Sequence, residues 1–170
     1  MLPLLSGLAA VAQPDARLLI LGSMPGAKSL QQQQYYAHPR NAFWPIMASI
    51  LNFDPTLSYP GRLQALMAKQ VALWDVIGYC QRQGSLDSAI SAEQPNDFTR
   101  FMQQHNKITA IAFNGGKAWQ SFRRQVIGKQ HLPDGLQLLQ LPSTSPAHAS
   151  LRFADKLQHW QKLAPLLPGN

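Results

Sequence analysis

An α/β fold, a three-layer α/β/α sandwich around a central, mainly parallel four-stranded sheet, is the architecture that this 170-residue sequence predicts. Three observations carry it. Four short runs, Leu18 to Leu21, Val71 to Val76, Ile108 to Phe113 and Leu136 to Leu141, are mostly apolar, as strands covered on both faces are. The intervals between them are long enough for the helical crossovers that parallel pairing requires. Within those intervals apolar residues recur at three- and four-residue spacing, so strands and helices alternate.

The elements follow in order. After the first strand, Phe43, Ile46, Met47 and Ile50 define one helical face, and Pro45 places the start of that helix near Asn41 or Trp44, because proline is tolerated only in a first turn. Leu63, Leu66 and Met67 mark a short helix leading into Val71. Asn96 is the expected N-cap of a third helix, with Phe98, Phe101 and Met102 inward. Beyond Gly115 and Gly116, Trp119, Phe122 and Val126 form another helical face, and Asp134-Gly135 turns the chain into the last strand. A final helix is expected after Pro146, presenting Leu151, Leu157, Trp160 and Leu163 to the core. Residues 1–170 then form a single domain, a length that buries a substantial core.

Composition narrows the function classes. Fifteen lysines and arginines against eight acidic residues give a net charge of +7, which favours a polyanionic partner. The basic residues are scattered except around Lys117, Arg123, Arg124 and Lys129. A single cysteine, Cys80, excludes an intrachain disulfide framework and fits a reducing compartment, so a cytoplasmic location is expected. The apolar start is broken by Gln13, Pro14, Asp15 and Arg17, so neither a signal peptide nor a membrane span is expected.

Chemistry should gather where the parallel strands end, because ligands of open α/β sheets sit beyond the carboxyl ends of the strands. The sequence loads those ends. Gly22-Ser23-Met24-Pro25-Gly26 follows the first strand, Asp75 closes the second, Asn114-Gly115-Gly116-Lys117 follows the third, and Pro142-Ser143-Thr144-Ser145-Pro146 follows the fourth. The first of these fits neither a dinucleotide fingerprint nor a P-loop and also reads as a plain strand-to-helix turn; the last also reads as a helix cap. His38, His105, His131, His148 and His159 are too dispersed for a metal motif, and no paired-carboxylate pattern exists. A metal is not expected. Asn41 and Asn114 can each present an acceptor and donors to a base edge or a water, or cap a helix. Tyr35, Tyr36, Phe43 and Trp44 can stack on a planar ligand, or face the core. Arg40 has the reach for a phosphate.

Five ordered segments, LGSMPGAKSL at 21–30, YYAHPRNAFW at 35–44, ALWDVIGYCQRQGSLDSAI at 72–90, AFNGGKA at 112–118 and LPSTSPA at 141–147, resemble the uracil-DNA glycosylase superfamily. The resemblance is greatest to its hypoxanthine-DNA (deoxyinosine) glycosylase branch, with the mismatch-specific uracil glycosylases as relatives. It implies a compact, monofunctional α/β enzyme, free of cofactors, that binds DNA containing a deaminated base, everts that base and hydrolyses its N-glycosidic bond. A monomer is expected, because nothing in the sequence demands a subunit interface. Uracil-removing relatives carry Asp or Asn where this chain has Met24, and the most active ones carry His where it has Leu141. A thioether cannot replace a carboxylate or amide in positioning water.

In the deoxyinosine branch the resemblance transfers that work to Asn41. It also implies base contacts by Asn114, stacking on the base by Phe43, a second wall from Tyr36, and a pocket turn that includes Ser23 and Met24. Ser143, Thr144 and Ser145 would hold flanking phosphates or press into the duplex, with Arg40 and Lys117 adding attraction. Asp75 would read the base or orient a loop, and His38 lies in the same motif without an assigned role. Action on uracil or mismatches, a different N-glycosidic substrate, and lesion binding without turnover are the alternative functions.

Overall fold

The computed structural model describes residues 2–169. In chain order its elements are β1 (Leu4–Ser6), β2 (Leu18–Gly22), α1 (Ala27–Gln32), α2 (Phe43–Leu51), α3 (Tyr59–Ala68), β3 (Val71–Asp75), β4 (Ile77–Gln81), β5 (Ser91–Pro95), α4 (Phe98–Gln104), β6 (Ala110–Asn114), α5 (Gly116–Gln125), β7 (Gln137–Leu141) and α6 (Phe153–Trp160). Four strands pair in parallel in the order β3-β2-β6-β7. This is the sheet expected from the four apolar runs.

Alternation along β2 divides the core. Leu18 and Ile20 face a layer containing Phe43, Ile46, Met47, Leu66 and Trp160 from α2, α3 and α6. Leu19 and Leu21 face Phe98, Phe101, Met102 and Phe122 from α4 and α5. Each such aliphatic side chain contributes roughly 1.5–3 kcal/mol on burial, so the central strands are fixed in register from both faces. The edge strand β7 departs from expectation: its residues are largely exposed and only Leu141 is fully buried, as befits a strand paired on one side alone, with β6.

Caps account for several helix starts. Asn41 Oδ1 accepts the Phe43 amide at 2.9 Å ahead of α2, and Pro45 lies in the first turn of that helix. The expected Asn96 cap is replaced by Asp97, whose carboxylate accepts from the Arg100 amide at 3.0 Å. Asn96 instead donates to the Asp75 carbonyl at 2.7 Å. The last helix begins at Phe153, later than expected, and leaves Leu151 outside it.

A second sheet had no counterpart in the sequence reading. β1, β4 and β5 form an antiparallel set in the order β1-β4-β5. Val76 makes the junction: its amide donates to the Gly22 carbonyl at 2.8 Å, and the next amide, of Ile77, donates to Ser23 O at 3.0 Å. The chain thus leaves the parallel sheet while still tied to the turn after β2. No helix is long and apolar enough to cross a membrane among the described residues.

Candidate active site

A cavity of about 620 Å³ opens beyond the carboxyl ends of the parallel strands, within the size range of small-molecule sites. The turn after β2, Tyr35, Tyr36, His38, Asn41, Asp75, Asn114 and the loop after β7 all line it. Four strand ends therefore do converge on one space.

Gly22 sets the floor. A Cβ there would stand 2.5 Å from Asp75 Oδ1 and 3.2 Å from the Tyr36 hydroxyl, so no larger residue fits without displacing one of them. Gly115 is constrained by its backbone, with φ +95° and Ser143 Cβ 3.0 Å from the position of an added Cβ. The two glycines allow the chain to approach the polar side chains at close range.

Tyr36 forms an aromatic wall. Its φ of +55° is in the left-handed region, which costs a non-glycine residue on the order of 1 kcal/mol or more. Flanking peptide groups hold it there: the Tyr35 amide donates to the Tyr59 hydroxyl at 2.9 Å, Trp44 Nε1 donates to the Tyr35 carbonyl at 3.0 Å, and the Ala37 amide donates to Ser29 Oγ at 3.0 Å. The Tyr36 ring lies on Phe43 with centroids 3.9 Å apart and planes 21° apart. Phe43 is itself 0% exposed and does not line the cavity. The expectation that Phe43 stacks directly on a base is therefore corrected: Tyr36 covers it, and Phe43 backs the wall from the core.

Asn41 lines the cavity with its carboxamide oriented by the Phe43 amide, which occupies one lone pair of Oδ1 and leaves the other, with both amide protons, unused by that bond. His38 lies on the same wall; its Nδ1 accepts from the Arg40 amide at 3.1 Å, which assigns the neutral ring proton to Nε2. Arg40 is exposed and stands outside the cavity lining.

Asn114 is more committed than the sequence suggests. Its Nδ2 donates to Thr144 Oγ1 and its Oδ1 accepts from the Thr144 amide, both at 3.0 Å. Thr144 is buried, so the expectation that it grips a phosphate is corrected to an internal clasp on the loop after β7. Ser143 and Ser145 remain partly exposed at the rim, but their hydroxyls accept the amides of Ser145 and Ala147 at 3.1 Å. Lys117 also lines the cavity, yet its ammonium pairs with Glu93 at 2.6 Å, and Ser121 donates to the same carboxylate. That partner already compensates the charge expected to attract DNA.

Asp75 sits at the cavity floor, 4% exposed, and its Oδ2 has no hydrogen-bond partner. Burial is the main cause that raises its pKa to about 7, with the Asp87 carboxylate adding to the rise and Arg82 opposing it. The Tyr36 hydroxyl is likewise buried; burial chiefly, and then Asp75, push it far above the ordinary phenol range, with the Asn114 side chain opposing the rise. Met24 contributes an apolar patch, buried against Ile77 and Cys80. Ser23 Oγ donates to Asp87 Oδ1 at 2.6 Å.

Sequence reasoning missed the segment 82–88. Arg82 is buried and donates to the Pro25 carbonyl at 2.6 Å, and Ser85 Oγ accepts from the Ala27 amide at 2.8 Å. It also missed Lys156, which donates to the Ser145 carbonyl at 3.3 Å and whose pKa burial lowers. The signal for the first was the GSLDSA stretch, which lies within the 72–90 segment of the family resemblance but was given no role there. Among the described residues no three His, Cys, Asp or Glu side chains converge as a metal site.

Comparison with known proteins agrees with this geometry. The family model of the uracil DNA glycosylase superfamily matches residues 9–164. The hypoxanthine DNA glycosylase of Methanosarcina barkeri is 36% identical over 113 residues, which cover 66% of this chain and 72% of that protein. A hypoxanthine DNA glycosylase of Methanosarcina acetivorans is 37% identical over the same shares. The solution NMR structure of a Methanosarcina acetivorans protein, provisionally named a uracil DNA glycosylase, superimposes with a TM-score of 0.81 at 30% identity, covering 96% of this chain and 99% of the other. With a family model that spans residues 9–164 and relatives at 36% and 37% identity, the chain belongs to the uracil-DNA glycosylase superfamily.

Proposed function

We propose that this protein is a DNA glycosylase that removes hypoxanthine from deoxyinosine. The observation that carries the reading is the Asn41 carboxamide, fixed on the cavity wall by the Phe43 amide, in a pocket whose β2 turn carries Met24, packed on Ile77 and Cys80, and so offers no carboxylate or amide at that position. Of the side chains expected to handle water, Asn41 has the free lone pair to do so. The names of the two curated relatives support the choice of base.

The reaction is hydrolysis. The C1′–N9 bond breaks with its electron pair going to the purine, a water oxygen bonds to C1′, and the water's proton ends on the released base. Asn41 Oδ1 accepts a hydrogen bond from that water and aims its oxygen at C1′, a contribution from orientation. Tyr36 stacks on the everted base, which is worth about 1–3 kcal/mol and offsets part of the few kcal/mol lost on unstacking. Asp75, in its neutral form, faces the base with one donor and one acceptor, which suits the O6 and N1–H edge of hypoxanthine. Asn114 positions the loop after β7 and touches the base with what its Thr144 bonds leave free. Exposed Arg40 and the rim hydroxyls of Ser143 and Ser145 meet phosphates.

Single-turnover assays on duplexes containing hypoxanthine, uracil, xanthine or adenine, with free base measured directly, test this. Hypoxanthine is expected to be released fastest and adenine not at all. Preferential release of uracil would move the protein to the uracil-removing branch. A second reading, lesion binding without turnover, is favoured by the apolar packing of Met24, and tight binding with no base released from any duplex would select it.

A further inference from the structure

We propose that His38 is a catalytic residue that donates its Nε2–H to N7 of the leaving purine, a role that rests on the glycosylase reading above. His38 and Asn41 both line the cavity, and the chain sets them at the two ends of one turn. The Asn41 amide donates to the His38 carbonyl at 2.9 Å, with Pro39 and Arg40 between, so the two Cα atoms lie within about 7 Å of each other. Proline in the second place of that turn fixes its first φ.

Each of the two side chains is aimed by a backbone amide two residues ahead. His38 Nδ1 accepts from Arg40 at 3.1 Å, as Asn41 Oδ1 accepts from Phe43 at 2.9 Å. With Nδ1 engaged as an acceptor, the neutral ring carries its proton on Nε2. Among the described residues no protein group accepts that proton, which leaves it to an occupant of the cavity. His148, on the opposite rim, has no such support: its Nε2 meets only exposed Ser150 Oγ, at 3.5 Å.

The contacts already derived leave one side of the purine unread. Tyr36 covers its face, Asp75 takes the O6 and N1–H edge, and Asn41 works at the sugar. N7 is the more basic of the remaining ring nitrogens and shares the five-membered ring with N9, so a donor there meets electron density as the C1′–N9 bond breaks. No proton leaves the imidazole; the hydrogen bond strengthens as the ring gains charge, and the proton that ends on the base comes from water. A contact that tightens in this way lowers the barrier more than it stabilises the bound substrate.

Duplexes carrying inosine, 7-deazainosine or 3-deazainosine test this in single-turnover release by wild type and His38→Ala. His38 is exposed, so its replacement leaves the core intact. Wild type is expected to outpace the variant about tenfold or more on inosine and 3-deazainosine, and to stay within about twofold of it on 7-deazainosine, where a C–H replaces the acceptor. His38→Gln, which can donate from its own amide nitrogen, should recover part of the loss. A second readout needs no turnover. In complex with a duplex containing 2′-fluoro-2′-deoxyinosine, whose glycosidic bond resists hydrolysis, the Nε2 proton of His38 should move downfield in NMR spectra and exchange slowly, and should do neither with the 7-deaza analogue. The same rate ratio on all three duplexes, a ratio that collapses on 3-deazainosine instead, or an Nε2 proton indifferent to the 7-deaza change would overturn the contact. An Nε2 proton that responds to N7 in a protein that releases no base from any duplex would sink the glycosylase reading and leave the contact standing.

Discussion

Asn114 and Thr144 hold each other through two hydrogen bonds of 3.0 Å, and the Thr144 carbonyl then accepts the Ala42 amide at 3.0 Å. One buried threonine therefore joins the end of β6 to the residue beside Asn41. Thr144→Val keeps the shape and removes the hydroxyl, leaving an Asn114 N–H buried without an acceptor. That is expected to cost about 1–3 kcal/mol in urea unfolding and to slow base release, whereas Thr144→Ser should restore both. Unchanged stability in Thr144→Val would show that the clasp does not hold the loop.

Asp75 predicts a pH dependence of stability. Its pKa is raised from 3.8 to about 7, chiefly by burial. The folded protein therefore keeps a proton that the unfolded chain gives up, and the contribution is complete below pH 4 and is lost as the pH rises through about 7. Asp75→Asn removes that loss. Relative to wild type, the variant should gain up to about 1.4 kcal/mol per pH unit between pH 5 and 7, and nothing more above pH 8. Denaturant titrations at the three pH values check this, and a difference independent of pH would contradict it.

Gly22→Ala should destabilise the fold by about 1–3 kcal/mol, because the new methyl stands 2.5 Å from Asp75 Oδ1. Combining it with Asp75→Ala should recover part of that cost. A double-mutant cycle with no coupling between the two positions would place the strain elsewhere.

Arg40 and Lys117 should differ in salt dependence despite carrying the same charge. Arg40→Ala is expected to reduce the slope of log binding constant against log salt by about one phosphate contact. Lys117→Met should leave the slope nearly unchanged, since Glu93 at 2.6 Å already neutralises that ammonium, and should instead lower stability by stranding Glu93. Equal slopes for the two variants would reject this distinction.

The parallel sheet was legible because its strands are apolar and regularly separated by helical patterns. The second sheet was not, since β1 is short and β5, SAEQP, has no buried residue. Asn41, Asn114, Asp75 and Tyr36 were singled out because they stand at strand ends or in a recognisable motif, and the structure gathers all four in one cavity. The depth of Phe43 could not be read, because an aromatic at a helix start faces either core or ligand and only the position of Tyr36 decides which. Glu93 pairs with Lys117 across 24 residues of sequence, a relationship that no local pattern reveals.

The most direct measurement is single-turnover release of hypoxanthine from an inosine-containing duplex by wild type and Asn41→Ala, with duplex affinity determined in parallel. Loss of an oriented water should slow the variant by about 10²-fold or more while affinity stays within about threefold. Equal release by the two proteins, or a loss explained entirely by weaker binding, would contradict the assignment of Asn41 as the residue that directs water to the sugar.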